Sequence, residues 1–271
     1  MNKNEYNYRF LITFAITIII AVVLTILVGI SPTTIINGTT SVVDSNTVSE
    51  KYEDGTTTTY QEFIENPPEF DGENMIVTVN QNRPFFTKED KELTDTFISY
   101  SDFDANGRVG LAIGNLEYSL HPTEARKGDL STITPPGWVQ CNTEKKYNVK
   151  LSYGDETDTY LWARCHLIAY TLGGGELEPK GIFTGTFSCN QAMLQIELKV
   201  LDFLQTCQNE HVLYRITPVY RNDVDLIPCG ILMEGYSVEA EGLFINFCQY
   251  IHNAQPGFEI DYTDGSETYI G

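Results

Sequence analysis

Residues 10–30 form a run of 21 without one charged side chain, and that run divides everything else in the chain. As a helix rising about 1.5 Å per residue it reaches roughly 31 Å, the thickness of a bilayer's hydrocarbon core. A cleaved signal peptide has a shorter apolar region, about 7–15 residues, closed by a small-x-small site. Here the run ends in Leu27-Val28-Gly29-Ile30-Ser31-Pro32, a poor cleavage site. The reading is an uncleaved transmembrane signal anchor. Lys3 and Arg9 precede it and no basic residue follows before Lys51. The positive-inside rule then leaves residues 1–9 in the cytoplasm and the main domain outside the cell, tied to the membrane by one helix.

Residues 31–73 read as a polar, acidic linker. Nine of the 37 acidic residues fall within 44–73, against Lys51 alone, and Thr56-Thr57-Thr58-Thr59 lies inside the stretch. Such a segment stays solvated and repels itself. From 74 to 271 the composition is globular and long enough for one domain with its own core. The chain carries 16 Tyr and 14 Phe, and aromatic residues favour sheet.

Strands are expected over 109–118, 159–165, 212–220, 231–239 and 243–251, with turns at Arg221-Asn222-Asp223, Ala240-Glu241-Gly242 and Asp264-Gly265. A helix is expected over 190–204, where apolar residues recur on one side. The fold class is α+β, a helix on an antiparallel sheet. The six cysteines (141, 165, 189, 207, 229 and 248) have no CxxC spacing, which argues against a zinc knuckle. Their even number permits disulfides outside the cell without pairing them. Cys165 and Cys189 read as packing residues.

The net charge of −20 speaks against a protein that holds polyanions by a broad basic surface. Any chemistry on a phosphate must be local. Of the four histidines, His121 precedes a proline in a loop, His211 opens a strand and His252 ends one; each reads as structural or solvated. His166 follows the strand Tyr160-Leu161-Trp162-Ala163-Arg164-Cys165. There it can stand over a phosphate whose oxygens pair with Arg164, or simply be satisfied by hydrogen bonds. Asn190 and Glu197 are seven positions apart. At about 100° per residue that is within roughly 20° of two full turns, so both leave one helix face. Their oxygens suit a hard cation such as Mg²⁺, and equally an ordinary polar helix face.

Taken together these segments resemble the DNA/RNA non-specific endonuclease family, whose site is called ββα-metal. Its Asp-Arg-Gly-His signature corresponds to Ala163-Arg164-Cys165-His166, and 183–190 is similar to the segment leading to the family's metal-binding Asn. The likeness continues through 211–218, 233–239 and 255–262, and upstream through Asp104-Ala105-Asn106-Gly107-Arg108 and Pro135-Pro136-Gly137-Trp138. Surface nucleases of Gram-positive bacteria are the members it looks like. The resemblance implies that His166 is the general base and that Asn190 is the direct protein ligand of Mg²⁺ or Mn²⁺. It further implies that Glu197 orients a metal-bound water, and that Arg164 supports the signature or contacts phosphate. The substrate it implies is DNA, RNA or both. Ala163 replaces the family's Asp, Cys165 its Gly, and Gly181 a second Asn, and the Asn-to-Glu spacing is one residue short. These departures leave a second expectation: a catalytically weakened pseudonuclease that binds at the cell surface.

Overall fold

The computed structural model describes residues 50–51, 57–138, 150–151 and 159–271. The uncharged run 10–30, the preceding 1–9 and Cys141 lie outside the described residues. Among those described, no helix is long and apolar enough to cross a membrane.

In chain order the main elements are α1 (Tyr60–Glu65), β1 (Ile76–Thr78), β2 (Phe97–Tyr100), β3 (Ala112–Leu116), β4 (Trp162–His166), β5 (Ile182–Thr186), α2 (Phe187–Thr206), β6 (Val212–Val219), β7 (Gly230–Ser237), β8 (Asn246–His252), β9 (Phe258–Ile260) and β10 (Glu267–Tyr269). Six strands make one antiparallel sheet in the order β1-β8-β7-β6-β3-β2. The strand expected over 109–118 is shorter, because the chain turns into a 3-10 helix at Tyr118–Leu120.

The sheet is covered on both faces, which explains why β6 and β7 are almost wholly buried instead of alternating. Val212, Tyr214 and Ile216 point to the face that holds α2, together with Ile231 and Met233 of β7. Into that face α2 packs Ala192, Met193, Ile196, Val200, Phe203 and Leu204, spaced by three and four. Burying side chains such as Met193 and Ile196 contributes about 1.5–3 kcal/mol each.

The opposite face takes Val79, Phe85 and, unexpectedly, Phe63. Phe63 belongs to α1, inside the stretch read as linker, so the ordered fold reaches back beyond the expected boundary at 74. The cause is local. Thr59 and Glu62 close a capping box, and Phe63 meets the Tyr250 ring edge-on at 5.4 Å. A single amphipathic turn is easily masked by its acidic, Thr-rich surroundings. Tyr60 adds a hydroxyl contact to Thr217 at 2.8 Å and lies 4.6 Å from the Arg215 guanidinium. Arg215 in turn grips the fully buried Glu234 through two bonds of 2.6 and 2.9 Å.

The five described cysteines are free thiols. Cys165 of β4 and Cys189 of α2 lie in the core as packing residues.

Candidate active site

β4 and β5 form an isolated antiparallel ribbon, and α2 leaves β5 with no intervening loop. Thr186 both ends the strand and caps the helix, its hydroxyl accepting from the Cys189 backbone N–H at 3.0 Å. Side chains alternate across a ribbon. Arg164 and His166 therefore share one face, while Ala163 and Cys165 turn to the core.

Asn253 fastens this unit to the large sheet. Its amide donates to the carbonyls of Thr184 and Pro228 at 3.0 and 2.9 Å, and its oxygen accepts from Thr186 N–H at 2.8 Å. Thr186 also donates to Ala254 O at 2.6 Å.

His166 ends β4, half-buried. Its Nε2 lies 3.2 Å from the Glu176 carbonyl oxygen. A carbonyl only accepts, so in the neutral ring Nε2 carries the hydrogen and Nδ1 is the bare nitrogen. Burial holds the His166 pKa below its ordinary value, and the charge of Arg126 adds to that, against the opposing effect of the Glu176 and Gly175 backbone. The net effect favours the neutral ring.

Arg164 donates from Nε to Ile133 O at 2.6 Å, and its guanidinium lies 4.1 Å from the centre of the Trp138 ring. Both contacts orient the side chain and leave its terminal N–H groups uncommitted among the described residues. Burial lowers the Arg164 pKa from its ordinary value, and the charge of Asp129 opposes that.

Asn190 and Glu197 stand on α2, both half-buried. Neither side chain makes a hydrogen bond to a described residue. Burial pushes the Glu197 carboxyl up to about 7. Its charge in turn disfavours ionisation of Cys165, Cys189 and Tyr214, so it lies close to all three. The Tyr214 hydroxyl is buried without a partner among the described residues. A desolvated carboxylate and a free amide oxygen, two turns apart on one helix, are oxygen donors of the kind that suits a hard divalent ion and its waters. Among the described residues no three of His, Cys, Asp and Glu converge, so protein groups here could supply only part of an ion's coordination.

The other histidines are held by their neighbours. His211 pairs with Glu239 at 2.6 Å. His121 meets Thr171 O at 2.8 Å and stacks on Tyr118. His252 is wedged against Phe70 and Tyr250. Two of the departures from the family pattern have a packing context. A Cβ on Gly181 would stand 2.8 Å from the Tyr100 ring, so a larger residue there requires Tyr100 to move. Ala163 packs against the core under α2. Sequence reasoning missed Asn253, Glu176, Trp138 and Arg126. Only Trp138 stood in a segment already singled out.

A model of the DNA/RNA non-specific endonuclease family matches residues 87–239, more than half of the chain, and the chain belongs to that family. It is, accordingly, a hydrolytic endonuclease. Among solved structures it is similar to NucA from Streptococcus agalactiae with magnesium ion bound (24% identity, TM-score 0.58, covering 72% of this chain and 88% of that one). The metal-free form of the same protein matches at TM-score 0.57 with 24% identity, over 72% of this chain and 86% of that one. The Sda1 nuclease with bound zinc ion matches at 26% identity and TM-score 0.57, over 71% of this chain and 95% of that one.

Proposed function

We propose that this chain is a metal-dependent, sequence-non-specific endonuclease that hydrolyses extracellular DNA, RNA or both, held at the cell membrane by residues 10–30. The observation that carries the reading is His166: a ring fixed at Nε2 by Glu176 O and kept neutral by burial, with Nδ1 bare. In this reading Nδ1 takes a proton from water as the water oxygen bonds to phosphorus and the leaving oxygen departs. Arg164, oriented by Ile133 O and Trp138, holds the phosphate oxygens.

Asn190 would hold the divalent cation, Mg²⁺ or Mn²⁺, and Glu197 would orient a water bound to it. Bound there, the cation would supply positive charge to the phosphate and acidify a coordinated water. The magnesium-bound and zinc-bound structures of the similar proteins support a divalent metal. A cation also meets the objection that the chain is acidic, since local charge replaces a basic surface.

The test is to incubate the full chain with plasmid DNA and with RNA, in Mg²⁺, in Mn²⁺ and in chelator. Cutting in metal and none in chelator is expected; full activity in chelator overturns the metal site. Ala163, in place of the family's Asp, favours a second reading, a surface module that binds nucleic acid without cutting it. Binding without cleavage under every divalent metal would establish that one.

A further inference from the structure

A cavity of about 450 Å³ lies beside the ribbon, lined by Phe103, Ile133, Pro135, Pro136, Ile182 and Leu226 among others. Its size falls within the range of small-molecule sites. Its position is fixed by three contacts. Ile182 stands directly opposite His166 in the β4–β5 register, and directly opposed residues share a face with Cβ atoms about 4.5–5.5 Å apart. The Ile133 carbonyl takes the Arg164 N–H at 2.6 Å. Thr184, opposite Arg164, donates to Pro136 O at 2.8 Å. The cavity therefore adjoins the ribbon face that carries His166 and Arg164.

We infer that this cavity holds one unpaired nucleobase of the substrate, next to the phosphate that His166 and Arg164 address. The inference rests on the nuclease reading and names the part of the substrate bound beside the reacting phosphate. A base and its phosphate are joined through a single sugar, so a phosphate at Arg164 delivers a base to an adjoining site. The lining fits a flat apolar ring. Phe103 is a large aromatic left 43% exposed at the mouth, and Pro135 and Pro136 have no backbone N–H to offer. Two of the lining polar groups are spent internally, Asn106 Nδ2 on Asp223 O at 2.7 Å and Gly107 N–H on Asp104 O at 3.0 Å, which leaves Thr134 as the polar side chain at the wall. Such a site grips a base chiefly by its face. That is the recognition a sequence-indifferent enzyme needs, because every base has a π-face. A base paired in a duplex cannot enter, so the site favours single strands and frayed or bulged positions.

The test uses the full chain carrying His166→Ala, in chelator so that nothing is cut. Two labelled probes are compared by fluorescence anisotropy: an octamer of thymidine nucleotides, and an octamer of the same backbone with every base removed. The base-bearing probe should bind roughly tenfold tighter or more, the worth of a stacked base. Adding Phe103→Ala should remove most of that difference, and Phe103→Trp should keep it. In a second arm the unmutated chain with Mg²⁺ cuts a longer single strand containing one abasic position; cutting should fall at a fixed offset from the gap. Equal affinity for both octamers, or a difference untouched by Phe103→Ala, overturns the cavity assignment whether or not the chain cuts. Failure to bind either octamer overturns it as well. No cutting of any strand, with the affinity difference intact, overturns the hydrolytic reading and leaves the base site standing.

Discussion

The Sγ of Cys165 lies over Gly185 on the neighbouring strand, where a Cβ would stand only 2.4 Å from it. The pair fills one patch of core between the ribbon and α2, where the thiol takes the volume that a side chain at 185 would need. The family signature that this segment resembles has a glycine at position 165, so the thiol is what this chain adds to that patch.

That contact makes a stability prediction. Gly185→Ala should cost about 1–3 kcal/mol by overpacking. In a Cys165→Gly background most of that cost should vanish, since the colliding atom is gone. Urea denaturation of the four proteins measures the coupling. An equal cost in both backgrounds would show that the two positions do not compete for space.

His166→Ala should lose about 10²–10⁴-fold in kcat, the usual contribution of a positioned base. His121→Ala, His211→Ala and His252→Ala should keep most of theirs. Because burial lowers the His166 pKa, the base remains available on the acid side of its ordinary value. The acid limb of kcat/KM should therefore lie below pH 6.5. A limb above 7 that persists in Glu197→Gln would contradict the assignment.

Metal binding can be read without turnover. An ion that binds only the folded chain raises Tm. Mg²⁺ at pH 8 should do so for the unmutated protein and much less for Asn190→Ala. An equal rise in both would move the ion elsewhere.

Glu197 gives a pH signature of opposite sign to an ordinary surface carboxylate. Its folded pKa of about 7 exceeds the ordinary value of 4.5. Between those values the folded chain holds a proton that the unfolded chain has released, so stability falls as pH rises through 7. In chelator, Glu197→Gln should raise Tm by a few degrees at pH 8 and by nothing at pH 4.5. A gain at the lower pH would mean that burial of the charge is not the cause.

The anchor is tested on intact cells. Added protease should release a domain whose new N-terminus lies between 31 and 59, upstream of the docked α1. A domain found free in the medium without protease, starting just after residue 30, would mean a cleaved signal instead.

Much of this architecture was legible because long periodic segments declare themselves. α2 and strands β6 to β8 follow from runs whose apolar spacing admits one reading. The boundary at 74 misled because α1 contributes one buried residue, Phe63, too little signal to stand out from nine acids and a threonine run. Asn253 was invisible for a different reason. Its three bonds join residues some 25 to 69 positions apart, and no local pattern marks such a partner. The cavity was equally hidden, since its walls come from separate loops around Phe103, Pro135, Pro179 and Leu226.

Because β5 runs into α2 through Thr186 without a connecting loop, ribbon and helix behave as a single rigid gauge. One inserted residue at that junction would swing Asn190 through about 100° and shift it by about 1.5 Å, with no slack to absorb the error. Length variation among relatives should therefore gather in the outlying loops and avoid the stretch between Ile182 and Asn190, where a change of register would carry the proposed cation ligand away from His166.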